Sequence, residues 1–163
     1  MAVRILQLQV NGSLHAVQAK ATTPLLYLLR NELNLRAAHF GCGLDQCGSC
    51  HVLVDGKSIA SCNIEADNLE GKTITTLEGL TGSGSPSNPL HPLQQAVLDE
   101  QAAQCGYCLS GMLVSAAALL NHNTDPSDAE IRSALDKHLC RCGSHNRFVR
   151  AVHKAAQQLR ATP

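Results

Sequence analysis

The sequence predicts an α+β chain in which a strand-rich half precedes an all-helical half. Three observations predict it. Apolar residues alternate on either side of Asn11-Gly12, and the pattern returns around Asp55-Gly56, as two β-hairpins require. Residues 77–92 gather Gly79, Gly82, Gly84, Pro86, Pro89 and Pro92 among serines, a composition that does not sustain a helix or a central strand. Beyond them, apolar residues recur at helical spacing almost to the end of the chain.

Each element follows in order. Leu6, Leu8 and Val10 mark the first strand and Leu14 to Ala19 the second, so residues 3–19 form a hairpin. Thr23-Pro24 reads as an N-cap and first helical residue, and Leu25, Leu26, Leu28, Leu29 and Leu33 give the helix its apolar stripe. Gly41 to Cys50 is too rich in glycine and cysteine for regular structure. His51 to Val54 and Lys57 to Cys62 flank the second turn, and Lys72 to Thr76 is a last strand. Hairpin, helix and further strands describe a β-grasp, ubiquitin-like unit over residues 1–78. Residues 79–92 are the expected linker. Residues 93–163 then form a four-helix unit: Leu93 to Ala103, a central and nearly all-apolar helix from Tyr107 to Asn121, a third helix opened by the Ser127/Glu130 capping box and carrying Ile131, Ala134, Leu135 and Leu139, and a fourth from Asn146 to Leu159.

Composition narrows the function. Thirteen basic and thirteen acidic residues cancel with no basic block, so nothing supports nucleic-acid binding. No stretch is apolar for long enough to span a membrane, and Met1 to Val10 is interrupted by Arg4, Gln7 and Gln9, so a cytoplasmic protein is expected. The chain has eight cysteines but only four aromatic residues, Tyr27, Phe40, Tyr107 and Phe148. In a reducing compartment such cysteines are metal ligands before they are disulfides.

Their spacing divides them into two quartets. Cys42, Cys47, Cys50 and Cys62 are C-x4-C-x2-C-x11-C, the plant-type 2Fe-2S spacing, with glycines that let backbone N–H groups approach the sulfurs. Zinc is the alternative, although zinc knuckles present two short C-x2-C pairs. Cys105 and Cys108 form C-x2-C, and Cys140 and Cys142 form C-x-C. Spacing alone leaves this second quartet open between zinc and another cluster, and favours zinc. Cys105 and Cys108 fall at the start of the central helix, where N–H groups and the helix dipole favour thiolates. Cys140 and Cys142 fall between the third and fourth helices, so both pairs can meet at one end of the bundle.

Three segments together, Gly41-Cys42-Gly43 through Cys50, Gln104-Cys105-Gly106-Tyr107-Cys108 with Ser110-Gly111, and Leu139-Cys140-Arg141-Cys142-Gly143, carry a resemblance. The chain resembles the small iron–sulfur subunit of the molybdenum hydroxylases, the xanthine dehydrogenase and aldehyde oxidoreductase family. Thr75-Thr76-Leu77-Glu78-Gly79, His91-Pro92-Leu93-Gln94-Gln95 and the ending at Ser144-His145 are most similar to the branch with isoquinoline oxidoreductase, nicotinate dehydrogenase and membrane-linked aldehyde dehydrogenases. The resemblance implies a plant-type ferredoxin-like β-grasp domain followed by a four-helix-bundle domain, each with a 2Fe-2S cluster. Cys42, Cys47, Cys50 and Cys62 would hold the distal cluster, and Cys105, Cys108, Cys140 and Cys142 the proximal one. It further implies a large partner subunit that binds molybdopterin cytosine dinucleotide and hydroxylates the substrate. Gln104 and Cys142 would lie against that pterin. Electrons would leave toward a cytochrome c or FAD-type subunit. Aldehydes are the favoured substrate class, with N-heterocycles such as nicotinate or isoquinoline the alternative. A periplasmic location on a partner's export signal is the alternative to the cytoplasm. Readings of other classes are a free ferredoxin and a zinc-binding interaction protein.

The chain departs from the usual family loop at Asp45, Ser49 and His51. Asp45 either places negative charge near the distal cluster or caps a turn, and His51 either donates to a sulfur or fills a strand position. Leu109 and Met112 are expected to pack. The other histidines, His15, His39, His91, His122, His138, His145 and His153, show no ligand spacing and are expected in surface or core roles. No set for hydrolytic catalysis stands out, so the chain itself carries no catalytic residue.

Overall fold

The computed structural model describes residues 2–80 and 90–161. The first half is a five-stranded mixed sheet of order β2-β1-β5-β3-β4. Its strands are β1 (Val3–Val10), β2 (Ser13–Lys20), β3 (His51–Val54), β4 (Lys57–Ala60) and β5 (Thr73–Thr75). β1 and β2 are antiparallel and close at Val10↔Ser13, with Asn11 and Gly12 at φ 51° and 80°, the geometry of a type I′ turn. Asp55 and Gly56 repeat it at 49° and 78° between β3 and β4. β5 runs parallel to β1 and antiparallel to β3 and so joins the two hairpins into one sheet. Leu6, Leu8, Val10, Val17 and Ile74 bury one face of that sheet under α1 (Leu25–Tyr27), which continues as a π-helical turn over Leu28–Glu32.

α1 does not begin as the sequence suggests. Pro24, not Thr23, is its N-cap, and no side chain caps it. The first free N–H groups are taken by main chain instead, Leu25 N by the Ile64 carbonyl at 2.9 Å and Leu26 N by that of Ser61 at 3.0 Å. Pro24 bridges to Glu65 as well, which holds the residue before the helix extended. The segment leading out of β4 therefore serves as the cap.

In the second half, α3 (Pro92–Asp99), α4 (Leu109–His122), α5 (Asp128–Leu135) and α6 (His145–Ala161) form the bundle. A single helical turn, α2 (Leu77–Leu80), precedes it, across the expected end of the β-grasp unit and the start of the linker. Gly79 sits there for space as well as for flexibility, since a Cβ would fall 2.1 Å from Asn11 Oδ1. Residues 81–89 of the expected linker lie outside the described residues. α3 is shorter than its apolar pattern implies because Gln101, at φ 48°, ends it: Ala102 N returns to the Val97 carbonyl and Gln101 N to that of Leu98, a Schellman closure without glycine. α5 opens on the expected box, Ser127 Oγ accepting from Glu130 N and Glu130 Oε2 from Ser127 N. It stops at Leu135, so Leu139 is not on its buried face but 65% exposed.

Phe148, Leu93, Met112 and Ile131 fill the helical core, and Leu53 of β3 belongs to the same buried cluster. α4 packs on β3, and α3 on α6. The sheet and the bundle therefore share a buried boundary.

Candidate metal centres

The loop from Cys42 to Cys50 coils through three left-handed residues, Gly43, Asp45 and Gly48 at φ 71°, 54° and 75°. The coil turns backbone N–H groups inward. Those of Leu44 and Gln46 donate to Cys42 Sγ at 3.4 and 3.2 Å, and Cys42 N donates to Cys47 Sγ at 3.4 Å. The N–H groups of Leu44 and then Gln46 lower the Cys42 thiol to about 7. Gly41 leaves room for the sulfur, because a Cβ there would lie 2.6 Å from Cys47 Sγ. Cys50 at the end of the loop and Cys62 just past β4 are both buried and lie against each other. Burial, with Cys62 beside it, pushes the Cys50 thiol up to about 12.

The second quartet gathers at the end of the bundle formed by the N-terminus of α4 and the α5–α6 connection. Cys105, Cys108, Cys140 and Cys142 line one small cavity with Gln104 and Ser144. Cys108 is the N-cap residue of α4, yet its thiol is pushed up to about 12, because burial and the neighbouring Cys140 outweigh the helix terminus. At Cys108 desolvation outweighs the N–H groups of the helix end, whereas at Cys105 they prevail. The exposed Cys105 is lowered, by the backbone N–H of Tyr107 and by Cys142. Burial raises Cys140, but hydrogen bonds from Ser144 and from Cys108 prevail and leave it at about 6. All eight cysteines are free thiols.

Among the described residues, no three His, Cys, Asp or Glu side chains converge as one ion would require. Within each quartet the thiols are near enough to influence one another: Cys42 and Cys47, Cys50 and Cys62, and, in the second, Cys105 with Cys142 and Cys140, and Cys108 with Cys140 and Cys105. Four gathered thiols suit a two-iron cluster, in which each iron takes two thiolates.

The segments bearing the two quartets touch. Leu139 N donates to the Cys47 carbonyl at 3.1 Å, and Ser110 Oγ reaches the Ser49 carbonyl at 3.5 Å. His39 stacks on Tyr107 at 4.6 Å between ring centres, and the Tyr107 hydroxyl donates to the Phe40 carbonyl. His51 takes a strand position and bonds Ser58 Oγ at 2.7 Å. Asp45 turns its carboxylate to His51 Nε2 at 3.5 Å and Lys137 Nζ at 3.6 Å. The sequence reading missed the pairing of His51 with His138, whose rings lie 4.8 Å apart edge to face. The two are remote in sequence and share no ligand spacing.

Fold and site thus define a two-domain iron–sulfur protein. Residues 8–78 match the 2Fe-2S iron-sulfur cluster binding domain and residues 76–153 the 2Fe-2S binding domain of a second family. One of the subunits of nicotinate dehydrogenase from Pseudomonas putida is 50% identical over 155 residues, which are 95% of this chain and 96% of that one. The solved quinoline 2-oxidoreductase of Pseudomonas putida 86 superposes with a TM-score of 0.89 at 31% identity, over 98% of both chains. The aldehyde oxidoreductase of Desulfovibrio desulfuricans gives 0.88 at 41% identity, over 96% of this chain and 17% of its own longer one. The chain belongs to the family of small iron–sulfur subunits of the molybdenum hydroxylases, and its role is electron transfer. The β-grasp and helical halves expected from the sequence are those of this family.

Proposed function

We propose that Cys42, Cys47, Cys50 and Cys62 hold a distal 2Fe-2S cluster and Cys105, Cys108, Cys140 and Cys142 a proximal one, and that the chain relays electrons from a large molybdopterin subunit to an outer acceptor. The observation that carries this reading is the gathering of one cysteine quartet in each cluster-binding domain, the second of them around one cavity. Each cluster, when bound, takes up one electron and gives it up again. The residues prepare that exchange. N–H groups of Leu44 and Gln46 aimed at Cys42 Sγ stabilise added negative charge on the sulfur, and Ser144 does the same at Cys140.

Gln104 and Cys142 share the cavity at the exposed end of the second quartet, which supports their facing the pterin of the large subunit. A flavin or cytochrome c subunit would take electrons from the distal side. Among the described residues no helix is long and apolar enough to cross a membrane. For the substrate, the relatives named for nicotinate and quinoline support an N-heteroaromatic as the first compound to test, and the aldehyde oxidoreductase supports an aldehyde as the second.

Metal analysis of the purified chain tests the assignment: about four irons with as many acid-labile sulfides are expected. A colourless protein with stoichiometric zinc would end it.

A further inference from the structure

Where α4 packs against β3 and β4 runs a line of polar side chains contributed by both halves. His51 Nδ1 meets Ser58 Oγ at 2.7 Å, Ser58 Oγ meets Ser115 Oγ at 2.6 Å, and Ser115 Oγ meets His138 Nε2 at 2.7 Å. His51 and Ser58 belong to β3 and β4, Ser115 to the middle of α4, and His138 to the connection that carries Cys140. His51, Ser115 and His138 are buried, only 6%, 5% and 2% exposed, while Ser58 is half-buried where the line borders a cavity. Two hydroxyl protons serve three contacts, and one of the two facing ring nitrogens supplies the third.

The ends of the line bear on the ligand-carrying segments. His51 follows Cys50 directly in the chain, and His138 stands two residues before Cys140. His138 also fills the space beside Gly48, where a Cβ would lie 2.2 Å from its Nδ1. Beside it, a Cβ on Gly111 of α4 would fall 1.9 Å from the Gly48 carbonyl oxygen and 3.2 Å from His138 Cε1. Gly48 sits in the loop between Cys47 and Cys50, and the helical half thus grips that loop by backbone contact.

We propose that Ser58, Ser115 and His138 are positioning residues: they lock the β-grasp half to the helical half so that the two clusters keep one separation and one orientation. This rests on the assignment of the quartets to clusters. Hydroxyls suit the purpose because a hydrogen-bonded line fixes both distance and direction, which apolar packing alone does not. Electron exchange between two centres depends on their distance and orientation being held.

The test uses the complex with its large subunit, in the unsubstituted form and with Ser115→Ala. In the fully reduced protein, the magnetic splitting between the two cluster signals reports their separation and orientation. Expected for Ser115→Ala is an unchanged iron content with both signals at their own positions, an altered splitting, and internal electron transfer, in which one cluster loses the electron the other gains, slowed about tenfold. Ser115→Thr should restore both readings, because a cavity of about 510 Å³ beside Ser58 and Ser115 leaves room for the added methyl. An unchanged splitting and rate in Ser115→Ala would overturn the proposal. Ser58→Ala, which leaves the Ser115–His138 contact intact, is the second variant, and loss of iron from both would overturn it too, by reducing the line to a folding role. Absence of two signals from the unsubstituted complex would instead sink the cluster assignment.

Discussion

Single atoms decide much of what this chain does. Removing one sulfur removes one of the four thiolates that a cluster needs. Cys47→Ser should therefore cost the distal cluster and Cys108→Ser the proximal one, each leaving about two irons on the chain. Iron analysis with visible absorption of the two variants reads this directly, and complete loss of iron from either would mean that the centres are not independent. The glycines are as demanding as the cysteines. Gly111→Ala puts a methyl where the Gly48 carbonyl oxygen already lies, against backbone that cannot turn aside. The strain expected is about 1–3 kcal/mol, as for overpacked interiors, and thermal melting against the unsubstituted protein measures it. A melting point unchanged within error would show that α4 and the loop do not approach as closely as described. The cysteines were legible because spacing alone marks them. Gly111 was not, since nothing local distinguishes a glycine that admits another segment's carbonyl from one that merely bends.

At the scale of elements, local chemistry explains what could be read ahead of the structure. Asn11-Gly12 and Asp55-Gly56 announce their hairpins because few other pairs adopt two left-handed residues in succession. Ser127 and Glu130 announce α5 because each satisfies an N–H the other leaves open. Ser127→Ala should lower the stability of the bundle by about 1 kcal/mol, seen as an earlier denaturation midpoint with an unchanged slope. An unshifted midpoint would mean that α5 is held by packing alone. Elements whose ends depend on distant main chain were not readable. α1 is capped by the carbonyls of Ser61 and Ile64, and α3 is closed by a left-handed Gln101, a residue no C-cap rule would select. The polar line through His51, Ser58, Ser115 and His138 draws on four segments, and only the packing of α4 on β3 brings them together.

The whole molecule answers the imbalance in its composition. Of its four aromatic side chains only Phe148 is fully buried, at the centre of the helical core, while Tyr27, Phe40 and Tyr107 are 43–50% exposed. Aliphatic side chains and alanines fill the rest, and clusters on the cysteine quartets would tie loop to hairpin in one half and helix end to helix end in the other. Bound iron would add to the stability of both halves, as metal binding does wherever its ligands come together only on folding. Zero net charge gives little long-range steering, which suits a subunit held in a complex better than a diffusing carrier. Everything proposed for the chain depends on its holding two separate 2Fe-2S clusters. Spin quantitation by electron paramagnetic resonance of the dithionite-reduced protein decides the matter. About two unpaired spins per chain are expected in two distinguishable signals, one for each cluster. A single signal of one spin, or a silent protein that carries zinc, would contradict it.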